Sequence, residues 1–215
     1  MPTLSESHSR LLVSEAGIPV SNWEIANSAE EAVLAAKNLA SPVVVKLCGD
    51  AIAHKTERGL VRLNLDTEDA IREAANELLS SATPEDGDVE LLISEQIRGN
   101  RELIIGLIRD EQFGPCVMLG VGGILAEALA DVAFRLAPLN KAEANDLIDD
   151  IAMQSLLESF RGEPPVNRET LADILCSISR LGEDSNLLSI DLNPLIISDG
   201  EPIAVDALVE IVEDK

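Results

Sequence analysis

Four strand-like runs follow one another from residue 89, and this succession constrains the possible fold more than any other feature of the sequence. Each run is rich in Val, Ile and Leu, and turn residues separate it from the next. Before residue 89, helix-like and strand-like segments alternate. The four runs read VELLISEQI, RELIIGLIRD, PCVMLGVGG and DVAFRLAPL. We therefore predict an α+β fold in two halves, residues 1–90 and residues 91–215.

Capping residues predict where the helices of this fold begin. Thr3 and Glu6 match a capping box, and Gly17 is a suitable residue to end the helix that follows. Asn140 is predicted to cap one helix over residues 141–159. Two further caps predict the starts of other helices: Ser28 and Asn167. These signals are local, so they indicate helix starts without indicating how the helices pack.

The charge of the chain excludes several classes of partner. Sixteen Lys and Arg stand against 39 Asp and Glu, which gives a net charge of −23. Such a surface repels nucleic acid and anionic lipid. No apolar run reaches the ~18 residues of a membrane span, and the N-terminus lacks the pattern of a signal peptide. The three cysteines show neither metal nor disulfide spacing. We therefore expect a cytoplasmic protein.

The closing segment LLSIDLNPLIISDGEPIAVDA brings two carboxylates and an amide together. If Asp199 and Gly200 form a two-residue type I′ turn, paired positions have numbers that add up to 399. Asn193 then lies across from Asp206, and Asp191 projects from the same face as Asn193. Hard oxygen ligands of this kind suit Mg²⁺ that completes its shell with phosphate and water. A solvated polar face explains the same residues without a metal.

The segment VKLCGDAIAHKTERGLVRLNL, residues 45–65, gathers scarce positive charge. Lys46 ends a buried strand, where a fixed ammonium suits a phosphate, and the loop from Gly49 to Gly59 offers backbone amides to an anion. Four cations face two carboxylates here, a local net charge of +2: Lys46, Lys55, Arg58 and Arg62. The sequence contains no GxxxxGK[ST], and GVGG at residues 120–123 lacks the third glycine of a dinucleotide fingerprint.

One of the two histidines, His54, lies in the middle of this loop. A neutral imidazole is a good nucleophile near pH 7, so it would accept a phosphoryl group and give it up again. An ordinary surface histidine is the alternative interpretation of His54, and it is the one that we give to His8.

Five motifs follow one another over nearly the whole chain: VVVKL, AHKTERGLVRLNL, LLISEQI, RELIIGLIRDEQFGPCVMLGVGGILAEALADVAFRLAPL and IDLNPLIISDGEPIAVDA. Together they resemble the ATP-grasp subunit of ADP-forming acyl-CoA synthetases, a family related to the nucleotide-binding half of succinyl-CoA synthetase. The resemblance implies an ATP-grasp fold in which two α+β subdomains clasp a nucleotide: residues 1–90 with the phosphohistidine loop, and residues 91–215 with the Mg-nucleotide site.

The resemblance also implies roles for individual residues. His54 matches a histidine that takes a phosphoryl group from a phosphohistidine on a CoA-binding subunit and passes it to ADP. Asn193 and Asp206 match Mg²⁺ ligands, Lys46 matches a lysine on the nucleotide phosphates, and Glu102 matches a carboxylate near the ribose. The other implied nucleotide contacts are Glu95 and the backbone of Ile97 at adenine, and Lys55, Arg58 and Arg135 at the phosphates.

The activity implied by the resemblance is a ligase reaction, acyl-CoA + ADP + phosphate ⇌ acid + CoA + ATP. Because we find no CoA-binding region in the sequence, we expect a CoA-binding α subunit as partner, in an α2β2 assembly. Two alternatives stay open, a regulatory ATP-grasp module without catalysis and a carboxylate ligase that forms an acyl phosphate directly. The sequence TERGL after the His-Lys pair departs from the family, where we expect smaller or acidic residues and more glycine.

Overall fold

The computed structural model describes residues 3–49, 51–52, 55, 58–123, 131–159 and 162–212. The chain divides into two compact units. The first unit contains Thr3–His8 and Ser21–Gln96, and the second contains Ser9–Val20 and the chain from Ile97 onward. Helix α1, Glu6–Glu15, contributes residues to both units.

The first unit is built on a four-stranded antiparallel sheet with the strand order β1-β4-β2-β3. Its elements after α1 are β1 (Trp23–Ala26), α2 (Ala29–Ala36), β2 (Val43–Cys48), β3 (Val61–Leu65), α3 (Glu68–Ser80) and β4 (Glu90–Glu95). Strand β2 is buried along its whole length. Its Val43, Val45 and Leu47 belong to the apolar core, which α2 and α3 complete. Lys46 alternates with these residues and therefore points away from that core.

The second unit is built on a larger antiparallel sheet with the strand order β10-β8-β5-β6-β7, and β9 pairs with β8. Its elements are β5 (Arg101–Asp110), β6 (Gly114–Val121), β7 (Val132–Leu136), α4 (Lys141–Asp149), α5 (Arg168–Leu181), β8 (Leu187–Ser198), β9 (Glu201–Ala204) and β10 (Leu208–Ile211). Alternate residues of β5 are buried, among them Leu103, Ile105 and Leu107. They define one core-facing side of the sheet, and the intervening residues face the other side.

The structure confirms most of the elements that the sequence predicts. All four strand-like runs from residue 89 are strands, and the side chains of Ser28 and Asn167 cap α2 and α5. The prediction of one helix over residues 141–159 is wrong, because α4 ends at Asp149. There the side chain of Gln154 donates hydrogen bonds to the carbonyls of Ile148, Asp149 and Ile151. These bonds satisfy the carbonyls at the helix end without a further helical turn.

The boundary between the units falls after Gln96 rather than near residue 90. Strand β4 lies between β1 and β2, so its backbone hydrogen bonds place it in the first unit. Within the described part of the chain, we find no helix with the length and apolar character needed to cross a membrane.

Candidate functional site

The C-terminal hairpin has the register that the sequence predicts. Leu195 pairs with Ala204 and Ser198 pairs with Glu201, so paired numbers add up to 399. The turn residues Asp199 and Gly200 have φ values of 50° and 88°, as a type I′ turn requires. Strand β10 then continues the same register: Leu208 pairs with Asp191. The interruption between β9 and β10 therefore falls where β8 carries Asn193, and it contains Asp206.

A β-bulge in β8 accompanies this interruption. Strand β5 pairs Leu103 with Leu195 and Ile105 with Leu192, which leaves two residues of β8, Asn193 and Pro194, across from Ile104 alone. Proline donates no ladder hydrogen bond, and bulges are among the places where sheets tolerate it. Bulges also redirect side chains. Asn193 is exposed at this bulge, whereas Leu192 is fully buried.

The residues of helix α1 that belong to the second unit contact the connection between β9 and β10. The guanidinium of the fully buried Arg10 donates to the carbonyl of Val205, and the hydroxyl of Ser9 accepts from the Val209 amide at 3.2 Å. Asp206 accepts a hydrogen bond from the amide of Ala207 at 2.9 Å. The roles of Ser9 and Arg10 could not be predicted from the sequence, because contacts across some 200 residues leave no local signal.

Electrostatics show that the three predicted metal ligands lie close together. Burial raises the pKa of Asp191, the negative charge of Asp206 raises it further, and a hydrogen bond with Asn193 opposes the shift. Two carboxylates that repel one another favour a bound cation. Among the described residues, no group of three or more His, Cys, Asp and Glu side chains could hold a metal ion. Asp191, Asn193 and Asp206 supply only part of a coordination shell, so they fit an ion such as Mg²⁺ that takes the rest from phosphate and water.

Lys46 and Lys55 meet at one carboxylate in the first unit. Glu6 lies 2.7 Å from Lys46 Nζ through Oε1 and 3.1 Å from Lys55 Nζ through Oε2. The Glu6 side chain is 0% exposed and both lysine side chains are 9% exposed. The sequence predicts that Glu6 forms a capping box with Thr3. In the structure its carboxylate is the counterion of two predicted phosphate contacts.

The remaining cations of residues 45–65 also have acidic partners. Arg58 donates to both oxygens of Asp86, at 2.7 and 3.0 Å, and Arg62 pairs with Glu77 at 3.1 Å. The Arg58 guanidinium holds the pKa of Asp86 well below its usual range, and hydrogen bonds from Thr83 add to this effect. The expectation of a local surplus of positive charge therefore needs correction, since carboxylates distant in sequence offset much of it.

Glu95 and Glu102 both accept hydrogen bonds, Glu95 through its carboxylate and Glu102 through its backbone carbonyl. The Glu95 carboxylate accepts from the Asn22 amide group and from the Ala40 backbone amide, each at 3.1 Å. The carbonyl of Glu102 accepts from the Gly122 amide at 2.8 Å. A Cβ at Gly122 would lie 3.1 Å from three atoms of Glu102. Gly122 and Gly123 of the GVGG sequence thus pack against Glu102. Ile97 is half-buried just beyond β4.

The structure does not bring Arg135 together with the metal-ligand candidates. Arg135 pairs across the sheet with the core-facing Val117, and its guanidinium forms an ion pair with Asp150. Asp191 is on the other side of the sheet, since it alternates with the buried Ile190. The catalytic candidate His54 lies outside the described residues. His8 accepts or donates a hydrogen bond with the Ser5 hydroxyl at 3.0 Å.

Comparisons with known proteins agree on one family. A model of the ATP-grasp domain matches residues 2–211. The chain is 38% identical to the acetate–CoA ligase [ADP-forming] I subunit beta of Pyrococcus furiosus, over 95% of this chain and 90% of that protein. It is 36% identical to the 4-hydroxybutyrate–CoA ligase [ADP-forming] of Nitrosopumilus maritimus over 91% of this chain, but it spans only 29% of that protein.

Solved structures give the same result. The chain superimposes on acetyl-coenzyme A synthetase 1 of Ca. Korarchaeum cryptofilum, in complex with coenzyme A and Ca-AMPCP, with a TM-score of 0.91 and 37% identity. The match covers 98% of this chain and 94% of that chain. Another structure of the same synthetase contains Mg-AMPPCP, with its phosphohistidine segment pointing towards the nucleotide-binding site. Its TM-score is 0.84 at 36% identity, over 98% of this chain and 93% of that chain.

Proposed function

Because this chain belongs to the ATP-grasp family of ADP-forming acyl-CoA ligases, we propose that it is the nucleotide-binding subunit of such an enzyme. The reaction is acyl-CoA + ADP + phosphate ⇌ acid + CoA + ATP. The observation that carries the proposal is the cluster of Asp191, Asn193 and Asp206 at the bulge of β8, where two mutually repelling carboxylates and an amide form a partial site for a cation.

Each unit supplies its own set of nucleotide contacts in this proposal. In the first unit, Lys46 binds phosphate oxygens and Glu95 contacts the adenine. In the second unit, Glu102 contacts the ribose, and Asn193 and Asp206 hold Mg²⁺ with Asp191 beside them. Other contacts that we propose are the backbone of Ile97 at adenine, and Lys55 and Arg58 at the phosphates. When bound, Mg²⁺ neutralises charge on the phosphate oxygens.

The chemical step is a phosphoryl transfer through His54. The P–N bond of the phosphohistidine breaks while a P–O bond to the terminal phosphate of ADP forms, and the released imidazole takes up one proton from solvent. Such a transfer depends mostly on positioning and on stabilisation of negative charge. The ammonium groups of Lys46 and Lys55 are suited to this task, because both lie at the same Glu6 carboxylate and so lie close together.

The partner in this proposal is a chain that binds CoA and supplies the phosphoryl group to His54. The support comes from the Pyrococcus relative, which is named as a β subunit and has nearly the same length as the matched region. In the Nitrosopumilus relative the matched region is less than a third of the protein, so further polypeptide accompanies the domain there as well. We propose an α2β2 assembly for this chain.

Phosphorylation by Mg-ATP alone tests the proposal, since the reverse transfer needs no partner. We expect the wild-type chain to incorporate acid-labile phosphate and His54→Ala to incorporate none, while its Kd for Mg-ATP stays within about threefold. His8→Ala is the matched control and should incorporate phosphate as the wild type does. Phosphate on His54→Ala would refute the relay. A wild type that binds Mg-ATP and takes no phosphate would favour the regulatory module instead.

A further inference from the structure

Glu6 connects two chain segments that the proposed reaction uses together. Its two carboxylate oxygens each contact a different lysine: Oε1 contacts Lys46 at 2.7 Å and Oε2 contacts Lys55 at 3.1 Å. The thiol of Cys48 lies 3.8 Å from Oε2. All three charged side chains are at most 9% exposed, so water screens their interactions little.

This bridge allows two ammonium groups to stay close together in the interior. Without the carboxylate, the two buried ammonium groups would repel one another. With it, the three side chains keep one net positive charge. The distance between the two ammonium groups is then set by a single planar group rather than by two flexible lysine side chains.

The two lysines belong to segments of different kinds. Lys46 lies in the fully buried strand β2 and is fixed by its neighbours in the sheet. Lys55 directly follows His54 in the chain, and its carbonyl accepts from the Leu60 amide at 2.8 Å. Leu60 in turn accepts from the amide of Leu47 at 3.0 Å. Lys55 is thus held by a backbone hydrogen bond on one side and by the Glu6 carboxylate on the other.

We infer that Glu6 is a positioning residue for phosphoryl transfer through His54, because its carboxylate sets the spacing between Lys46 and the residue that follows His54. This inference rests on the proposed function. Glu6 itself touches neither the nucleotide nor the transferred phosphoryl group. It acts through Lys55, which it keeps beside Lys46 so that both cations meet the same phosphoryl oxygens during transfer.

Loss of the Glu6 carboxylate should lower the rate of phosphoryl transfer far more than the affinity for the nucleotide. Displacement of a group that contacts the transferred phosphoryl lowers the transfer rate strongly, whereas binding of the whole nucleotide depends on many contacts. In Glu6→Gln the amide still accepts from one lysine, but its NH₂ group faces the other, so one ammonium leaves its position. We expect the single-turnover rate constant of phosphorylation by saturating Mg-ATP to fall about 10- to 100-fold. The Kd for Mg-ATP should change by less than about threefold, since Lys46 remains in its strand.

Ser7→Ala is the matched control. Ser7 is the next residue of the same helical turn, and its hydroxyl donates to Glu90 Oε1 at 2.5 Å without touching either lysine. This variant loosens the attachment of α1 to β4 and leaves the lysine bridge intact. It should phosphorylate at the wild-type rate, whereas a rate loss equal to that of Glu6→Gln would show that only the attachment of the helix matters.

A double-mutant cycle with Lys55→Met decides whether Glu6 acts through Lys55. In the Lys55→Met background, adding Glu6→Gln should slow phosphorylation by a further factor of less than about three. The reason is that the contact between Glu6 and Lys55 is already absent there. Equal losses in both backgrounds would overturn the inference. Should Glu6→Gln fail to fold, Glu6→Asp keeps the charge with a shorter reach and should give an intermediate rate loss at unchanged Kd; a wild-type rate for it overturns the inference.

The outcomes distinguish this inference from the proposed function. A wild type that takes phosphate, together with a Glu6→Gln variant that takes it equally fast, overturns only the role of Glu6. A wild type that takes no phosphate overturns both. A variant whose Kd rises while its saturated rate is unchanged would place Glu6 in nucleotide binding and likewise contradict the inference.

Discussion

The two charged clusters of the protein differ in the signs of charge that they contain. At Glu6, Lys46 and Lys55 the chain supplies both signs, and a buried carboxylate joins two cations. At Asp191, Asn193 and Asp206 it supplies negative charge and an amide, and the pKa of Asp191 is raised by burial and by Asp206. The first cluster is stabilised by its own residues. A bound cation would offset the repulsion in the second, which is why we propose it as the Mg²⁺ site.

The difference also predicts how each cluster responds to mutation. Removing one partner of a buried ion pair leaves an uncompensated charge and costs about 3–5 kcal/mol of stability. Removing one of two repelling carboxylates relieves repulsion instead. Variants of the lysine cluster should therefore lose stability along with function, whereas variants of the acidic cluster should lose function without losing stability.

The largest expected effect is that of Asp206→Asn. This change keeps an oxygen that accepts from the Ala207 amide and removes one charge from the acidic cluster. Mutation of a residue that only supports a metal ligand lowers metal affinity or activity by up to about 100-fold. For the proposed ligand itself we therefore expect the rate of phosphorylation by Mg-ATP to fall by about 100-fold or more at 1 mM Mg²⁺. The rate of phosphorylation of His54 under single-turnover conditions measures this, and higher Mg²⁺ should restore part of the rate.

Asp199→Asn is the control for that variant. Asp199 is an exposed carboxylate in the turn of the same hairpin, with a φ of 50° that asparagine also tolerates. It should phosphorylate at the wild-type rate. Equal rates for wild type and Asp206→Asn would remove the acidic cluster from the catalytic site.

The next effect is that of Lys46→Met, which removes one cation from the lysine cluster while filling similar space. A hydrogen bond to a charged group is worth about 1.5–3 kcal/mol, so we expect the Kd for Mg-ADP to rise about 10- to 100-fold. Isothermal titration calorimetry gives the Kd, and a melting curve shows how much stability is lost with it.

Lys37→Met gives the matched control, because Lys37 pairs with Glu68 at 3.0 Å on the surface of the same unit, with both side chains more than half exposed. Exposed pairs contribute about 0–1 kcal/mol, and the Kd for Mg-ADP should not change. If both lysine variants bound ADP as the wild type does, Lys46 would contribute to its ion pair with Glu6 and not to nucleotide binding.

The acidic cluster was predictable from the sequence because its geometry is local. An Asp-Gly turn fixes the register of a two-residue hairpin, and counting back from it places Asn193 opposite Asp206. The structure has that register on both sides of the interruption. The β-bulge at Asn193 and Pro194 was not predicted, since it depends on how β5 pairs with β8.

The lysine cluster was only half predictable. The cations of residues 45–65 are visible in the sequence, but their counterions are not. Glu6 precedes Lys46 by 40 residues and reads equally well as a helix cap, and Asp86 lies in a loop that carries several other acids. A local pattern shows which residues carry charge. Only the packed chain shows which charges are paired.

A smaller effect, on the melting temperature, is expected for Asp191→Asn. Whether this variant melts above or below the wild type depends on pH and on Mg²⁺. A carboxyl whose pKa is raised on folding contributes stability below its unfolded pKa of about 3.9 and loses it as pH rises through the folded pKa. At pH 7.5 in EDTA, Asp191→Asn should therefore melt about 2–4 °C higher than the wild type, equivalent to ~1 kcal/mol.

At pH values below about 4 that difference in melting temperature should vanish, because Asp191 is then protonated in the wild type too. With Mg²⁺ at pH 7.5 the order should reverse, since only the wild type keeps the full ligand charge. A lower melting temperature for Asp191→Asn in EDTA at pH 7.5 would contradict the repulsion that distinguishes this cluster from the lysine cluster.

The smallest effect is expected at Arg135, which the family resemblance assigns to the phosphates. Its guanidinium pairs with Asp150 on the core-facing side of the sheet, away from Asp191, and both side chains are about a third to a half exposed. Arg135→Ala should therefore change the Kd for Mg-ATP and the rate of phosphorylation by less than about twofold, and stability by less than ~1 kcal/mol. Calorimetry and single-turnover phosphorylation measure both. A tenfold loss of affinity would return Arg135 to the nucleotide site and show that a third cation balances the phosphates, so that the lysine cluster alone does not suffice.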